Sequence, residues 1–126
     1  MNAAPQTTLN KIGNIMVGVS DLERSTAFYR DQLGLTLAGS HPGFAFFQGG
    51  GVTLVLSREL AKVADPIAGA VEIVFAVDNV QAAYDALKAR GVEFFREPCQ
   101  ITPTDWGANF RDPDGHLLSV FGPRAL

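Results

Sequence analysis

The sequence predicts an α+β fold built from two βαβββ units in tandem, and three observations carry that prediction. The stretch Asn14–Leu22 (NIMVGVSDL) returns as Glu72–Val80 (EIVFAVDNV). Each copy is apolar at alternate positions, Ile15, Val17 and Val19 in the first and Ile73, Phe75 and Val77 in the second, and then meets Asp or Asn ahead of a helical pattern. The hairpins return as well, since Phe47-Gln-Gly-Gly-Gly-Val52 and Arg111-Asp-Pro-Asp-Gly-His116 each set a four-residue turn between apolar strands. A unit of about half the chain is duplicated, and two copies bury together what one leaves exposed.

Each element can be justified in order. Met1–Asn10 is polar and contains a proline, the composition of a flexible arm ahead of one domain spanning 11–126. Strand one covers about Lys11–Val19 and feeds a helix over Leu22–Leu33, capped by Ser20 or Asp21 and stopped by Gly34. Leu22, Thr26, Tyr29 and Leu33 lie along one side of that helix. Strands two, three and four follow at Leu35–Gly39, Phe44–Phe47 and Val52–Ser57, which closes module one at 11–57. Residues 58–70 read as a connector. Module two, 71–123, repeats the order with strand five at Val71–Val77 and a helix over Val80–Arg90, capped by Asn79 and closed by Gly91. Strand six at Val92–Arg96, a loop over Pro98–Pro103, and strands seven and eight at Asp105–Arg111 and His116–Phe121 complete it.

Composition narrows the class of function. At 126 residues, 47% hydrophobic and 18% charged, the chain is long enough for one sizeable core. A net charge of −3 without a basic stripe argues against a nucleic-acid partner. No run approaches the roughly 18 apolar residues of a membrane span, and Met1–Asn10 lacks the basic start and apolar centre of a signal peptide. A cytoplasmic protein with no membrane partner is expected. The single cysteine, Cys99, forms no internal disulfide and has no activating neighbour in its pattern, so it reads as an ordinary loop or strand residue.

The pleat assigns the faces, because residues two apart share one. The β-branched faces of strands one and five are covered by the helices that follow. Asn14, Met16 and Gly18, and Glu72, Val74 and Ala76, are left on the other face. If the last turn closes as a four-residue loop, Arg111 pairs with His116 and Phe110 with Leu117, which puts Trp106, Ala108, Phe110, Leu117, Ser119 and Phe121 on that helix-free face. The repeat offset then adds Phe44, Phe46, Thr53, Val55 and Ser57 from module one. So aromatic a face needs a cover.

The order βαβββ twice, the openings Val19-Ser-Asp-Leu-Glu-Arg-Ser25 and Val77-Asp-Asn-Val80, Phe28-Tyr29 with Leu33-Gly-Leu35, and the closing Trp106-Gly107 and Asp112-Pro-Asp-Gly115 together resemble the vicinal oxygen chelate superfamily. That superfamily includes glyoxalase I, extradiol dioxygenases, and bleomycin- and fosfomycin-resistance proteins. The resemblance covers about Lys11–Pro123 and implies an eight-stranded, partly open cup, usually completed in a homodimer. Its enzymes hold a divalent metal through His, Gln or Glu from the first and fourth strands of each module. Here those positions fall on Asn14, Val55, Glu72 and Ser119. Glu72 alone is a strong ligand, so neither a functional metal nor another cofactor is expected. His41 in the Ser40–Gly43 turn and His116 at the rim of strand eight lie elsewhere, and Asp112 and Asp114 serve the turn.

Two functions fit these residues, beside a third reading as a partner-binding scaffold, for which the scattered charges offer little. In the first, the emptied cup binds or sequesters a small aromatic or cationic molecule. Met16, Phe44, Phe46, Val55, Val74, Trp106, Phe110, Leu117 and Phe121 supply apolar area, while Asn14, Thr53, Glu72 and Ser119 orient polar groups. The resemblance to bleomycin-resistance proteins implies this mode. In the second, the protein is a glyoxalase-type lyase or isomerase, or a dioxygenase-related enzyme with a divergent metal site. Glu72 is then a general base in an apolar pocket, and Asn14 and Ser119 stabilise a developing oxyanion.

Overall fold

A computed structural model of the chain describes residues 11–63 and 71–124. The arm over 1–10 and most of the connector lie outside the described residues. Module one comprises β1 (Asn14–Gly18), α1 (Leu22–Ala27), a π-helical turn (Phe28–Gln32), β2 (Leu37–His41), β3 (Phe44–Gln48) and β4 (Thr53–Ser57). A short α2 (Leu60–Val63) follows, where the sequence reading placed only a connector. Module two comprises β5 (Glu72–Ala76), α3 (Val80–Ala89), β6 (Phe94–Gln100), β7 (Trp106–Arg111) and β8 (Leu117–Gly122). The strands form two four-stranded mixed sheets in the matching orders β1-β4-β3-β2 and β5-β8-β7-β6. In each, the first and last strands of the module are parallel partners.

The helices begin where their caps dictate. Asp21 accepts a hydrogen bond from the Arg24 backbone N–H at 3.1 Å, and Asn79 accepts one from Ala82 at 3.2 Å, each satisfying a donor that the first helical turn leaves open. The helix expected over Leu22–Leu33 changes pitch within its length. From Phe28 onward it widens to a π turn, which the Leu33 N–H closes onto the Phe28 carbonyl at 3.0 Å. Tyr29 is thereby turned fully into the core.

Strand six departs from expectation. Pro98, Cys99 and Gln100 belong to β6, although the proline suggested a loop. The pairing with β7 is irregular between Phe94 and Arg96 and again between Arg96 and Cys99, and β6 lies at the edge of its sheet. An edge with register shifts is where a strand accommodates a residue lacking an N–H donor.

The helix-facing side chains of both sheets join in a single apolar cluster. Val17, Val19, Tyr29, Phe47, Leu54 and Leu56 meet Val80, Tyr84, Leu87, Phe110, Leu118 and Val120 in it. Ile15, Ile73, Phe75 and Val77 pack at its border. Each large side chain removed from water this way contributes about 1.5–3 kcal/mol, so the shared core is the main bond between the modules.

A polar clamp closes that core at one end. The turn between β7 and β8 carries Asp112, which is buried, and Asp114. Asp112 accepts from the Tyr29 hydroxyl at 2.9 Å on one carboxylate oxygen, and from the backbone N–H groups of His116 and Asp114 at 2.8 and 3.0 Å on the other. Asp114 accepts from the Ser20 backbone at 3.0 Å, the Ser20 hydroxyl at 2.6 Å and the Ser25 hydroxyl at 3.2 Å. His116 Nε2 lies 2.6 Å from the Gly18 carbonyl oxygen, which can only accept, so that nitrogen carries the proton. The aspartates do shape the turn, as expected from Asp-Pro-Asp-Gly, and they also hold module two onto the β1–α1 junction of module one.

Burial, then the negative charge of Asp112, then the hydrogen bond to it, push the Tyr29 hydroxyl far above the usual phenol range. The folded protein keeps this proton where the unfolded chain releases it, above a pH of about 10. Stability should therefore fall as the pH rises beyond that value, and part of the fall should be missing in Tyr29→Phe. In urea denaturation at neutral pH, Tyr29→Phe should cost about 1–2 kcal/mol and Asp112→Ala about 3 kcal/mol, because the latter removes three bonds to a charged acceptor. Equal losses would mean that the Tyr29 contact alone carries the clamp.

Candidate functional site

The face of each sheet turned away from the shared core is defined by strand register. In module one, Asn14 lies beside Thr53, Met16 beside Val55, and Gly18 beside Ser57. On the other flank of β4, Gln48, Phe46 and Phe44 pair with Thr53, Val55 and Ser57 in turn. Beyond β3, Gly39 and His41 of β2 complete the surface. The face expected to be free of helices is covered at its Gly18–Ser57 end by α2, whose Leu60 N–H donates to the Ser57 hydroxyl at 3.1 Å and whose Ala61 backbone lies against Gly18. The placements expected for Asn14, Met16, Phe44, Phe46, Thr53, Val55 and Ser57 agree with this register. His41 does not sit in a turn; it ends β2, and its ring meets Phe46 edge-on at 5.9 Å. Phe44 lies nearly parallel to Phe46 at 6.3 Å, so three rings form an aromatic row.

Module two presents a different surface. Glu72, Val74 and Ala76 lie beside Leu117, Ser119 and Phe121 as expected. The expected neighbours on β7 are corrected, because Leu117, Ser119 and Phe121 pair with Arg111, Asn109 and Gly107. Trp106, Ala108 and Phe110 face the core instead. Phe110 is 0% exposed within the apolar cluster, its ring tilted at 59° to that of Phe94 with centroids 5.0 Å apart, and Trp106 borders that cluster with the Arg124 guanidinium 4.6 Å from its ring centroid.

The cause of the error is one residue of turn. Residues 49–52 separate the paired Gln48 and Thr53 in module one, whereas 112–116 separate Arg111 and Leu117 in module two. Gly115 donates to the Asp112 carbonyl at 2.9 Å with φ at +90°, and the Asp112 N–H donates to the His116 carbonyl at 3.1 Å. Three residues, not four, thus lie inside a hairpin closed by Asp112 and His116, a turn followed by a left-handed glycine. A slip of one residue exchanges the faces of a whole strand. The alternation in Trp106-Gly-Ala-Asn-Phe-Arg111 already held the answer, since its apolar members share one face and Asn109 and Arg111 the other.

This register brings together a polar group that the sequence reading missed. Asn109, in the centre of β7, donates from Nδ2 to Glu72 Oε1 at 2.6 Å, reaching across β8. Asn109 and its neighbour Ser119 are both buried, while Glu72 is exposed. The apolar enclosure expected around Glu72 is therefore not supplied by one chain. Arg96, opposite Asn109 on β6, is exposed, and the Arg111 guanidinium lies 4.8 Å from the centroid of the Phe95 ring. The two modules thus share a backbone plan and differ in chemistry, aromatic in one and polar in the other.

The donors at the four metal-ligand positions can be judged directly. Val55, 3% exposed, has no donor atom; Ser119, 5% exposed, has a neutral hydroxyl; and Glu72 already shares one oxygen with Asn109. Among the described residues no group of three or more His, Cys, Asp or Glu is placed to hold a metal ion. One carboxylate and two neutral oxygens do not fit a divalent transition metal. Two hollows lie elsewhere. One, of about 310 Å³, is lined by Leu33, Leu35, Phe75, Ala83 and Arg90 among others, where the modules meet beside α3, and so belongs to the helix side.

Comparison with known proteins agrees with the fold. Residues 11–120 match the model of the Glyoxalase/Bleomycin resistance protein/Dioxygenase superfamily, and the chain belongs to that superfamily. Within it, the chain is 30% identical to the uncharacterized protein YraH of Bacillus subtilis, over 88% of this chain and 97% of that one. A crystal structure of a glyoxalase/bleomycin resistance protein/dioxygenase from Nocardioides superposes with a TM-score of 0.78 at 29% identity, covering 94% of this chain and 87% of that one. TnmS3, an antibiotic binding protein from Streptomyces sp. CB03234, superposes with a TM-score of 0.77 at 26% identity, covering 94% and 99%. No helix among the described residues is long and apolar enough to cross a membrane.

The donor set leads to a direct measurement. After incubation with Zn²⁺, Ni²⁺, Mn²⁺ or Fe²⁺ and removal of the excess, elemental analysis should find far less than one equivalent retained. Near-stoichiometric retention of any of these ions would overturn the reading of Asn14, Val55 and Ser119.

Proposed function

We propose that this protein binds a small aromatic or cationic molecule against the sheet faces turned away from its shared core, without a metal, as a cytoplasmic homodimer whose second copy helps to enclose the ligand. The observation that carries the reading is the division of labour between those two faces, which meet over one ligand through the second copy. His41, Phe44 and Phe46 offer a row of rings for a flat molecule, and Glu72 offers the negative charge that a cation requires. Met16, Val74, Leu117 and Phe121 extend the apolar area, and Asn14, Thr53 and Ser119 add neutral polar groups. The likeness to an antibiotic binding protein supports the same reading. Trp106 and Phe110 are left out of the proposed site because their side chains are spent in the core.

Dimerisation follows from what a single chain leaves uncovered. Met16 is 49% exposed and Val74 51%, on strands β1 and β5 that are both edges of their sheets. Unpaired edges bearing large apolar side chains favour a partner. A second copy supplies one of matching shape through two-fold symmetry.

Both parts can be tested. Glu72→Gln should weaken a planar cation about tenfold and leave a neutral planar compound nearly unchanged in calorimetric titration, the difference expected for one charge-assisted contact. Equal losses would remove the electrostatic part of the reading. In sedimentation velocity the natural protein should run as a dimer and the double substitution Met16→Glu, Val74→Glu as a folded monomer. A monomeric natural protein would overturn the assembly.

A further inference from the structure

The hollow of about 310 Å³ between the modules lies on the helix side of the sheets, and its reading does not rest on the ligand-binding faces proposed above. Its volume falls at the lower end of the range of small-molecule pockets, about 300–1,000 Å³. Both halves of the chain build it. Leu33 and Leu35, just after the π turn, line it from module one, and Phe75, Phe110 and Ala86 of α3 line it from module two. Every residue around it is apolar except Arg90. Phe110 is buried, whereas Ala86 and Arg90 are exposed, so the hollow opens to solvent beside α3.

The ends of two helices place Arg90 there. α3 is ended at Gly91, with φ at +91°, and the first helix at Gly34, with φ at +80°. A methyl group at Gly91 would stand 3.3 Å from Gln32 Nε2, and one at Gly34 would stand 3.3 Å from Arg90 Nη1, so each glycine leaves room for a side chain of the other module. Gln32 Nε2 donates to the Arg90 carbonyl at 3.2 Å, and Arg90 Nη1 donates to the Gln32 carbonyl at 3.4 Å. A cation serving only the α3 dipole would turn back to the carbonyls of its own last turn, but this one reaches across to module one. A guanidinium carries five N–H donors. Among the described residues, Arg90 has that one long contact and no carboxylate partner.

We infer that this hollow is a further binding site, which takes a small monocarboxylate with an apolar body, the body lodged between the modules and the carboxylate on Arg90. The lining holds no acid to answer the arginine and no other polar side chain to orient a neutral polar ligand. Apolar surface laid beside a guanidinium takes water from it, and an anion with acceptor oxygens restores what is lost. A carboxylate matches the planar fork of donors, and one guanidinium balances the single charge of a carboxylate rather than the double charge of a phosphate ester. A cation is repelled, and an uncharged amide of the same shape leaves the charge unanswered.

The test uses the full chain and two acids of different shape, 2-naphthoate and octanoate, each beside its neutral amide. In calorimetric titration the natural protein should bind each acid about tenfold more tightly than its amide, the difference expected for one charge-assisted contact. Arg90→Gln should bring each acid to within about twofold of its amide. Ala86→Phe, which fills the hollow from the exposed side of α3, should abolish binding of acids and amides alike. Equal affinities in the natural protein, a preference for the acids that survives Arg90→Gln, or binding that survives Ala86→Phe would overturn the inference. So would failure of both acids to bind at millimolar concentration. Should Ala86→Phe fold poorly, the backbone amide resonances of Ala86 and Gly91 in the natural protein locate the site, since they should shift on addition of octanoate and their constancy would overturn it.

Discussion

The Asp112 carboxylate stands where two requirements of the fold meet. One of its oxygens gathers the backbone N–H groups of Asp114 and His116, which gives the last hairpin its three-residue interior. The other oxygen takes the hydroxyl of Tyr29 from the opposite module. The first contact decides which residues of β7 look into the core and which look away from it. The second ties that decision to the packing of module one. A buried carboxylate with three donors is tolerated because each donor answers part of its lost hydration, and it is costly to disturb for the same reason. The chemistry of the helix-free face is set from this turn, since Asn109 reaches Glu72 only in the register that Asp112 closes.

Duplication explains why one backbone plan carries two kinds of surface. Both modules put the first strand beside the fourth and cover one face with a helix, so the core positions are equivalent and uniformly apolar. The opposite faces do not share that constraint. In module one the central position of the third strand is Phe46, beside Val55 and Met16; in module two the corresponding place is Asn109, beside Ser119 and Val74. A face released from the core is free to diverge. Membership of the superfamily does not choose between binding and catalysis, because function resides in the side chains placed on the fold.

Much of the architecture was legible in the amino-acid order. The repeated stretch, the caps at Asp21 and Asn79, and the period-two alternation of β1 and β5 identify both modules and the faces of their first strands. These are local signals, each written within a few residues of the element it governs. The module-one face was also legible, since Phe44, Phe46 and Val55 lie where the alternation places them. The pitch change at Phe28 and the strand through Pro98 were not, because each depends on partners distant in the chain.

By itself, then, the sequence determined the fold family, the order of elements, the apolar faces of β1 and β5 and the residue types that stand on the opposite faces. These follow from residue types and spacings that no tertiary contact can change. Only the tertiary structure decided how many residues the last turn absorbs, the clamp from Tyr29 to Asp112, and the meeting of Asn109 with Glu72. The physical reason is that a hairpin register depends on how many residues the turn absorbs. Four and three are equally allowed by Asp-Pro-Asp-Gly until the core takes Phe110 and Tyr29 takes the carboxylate.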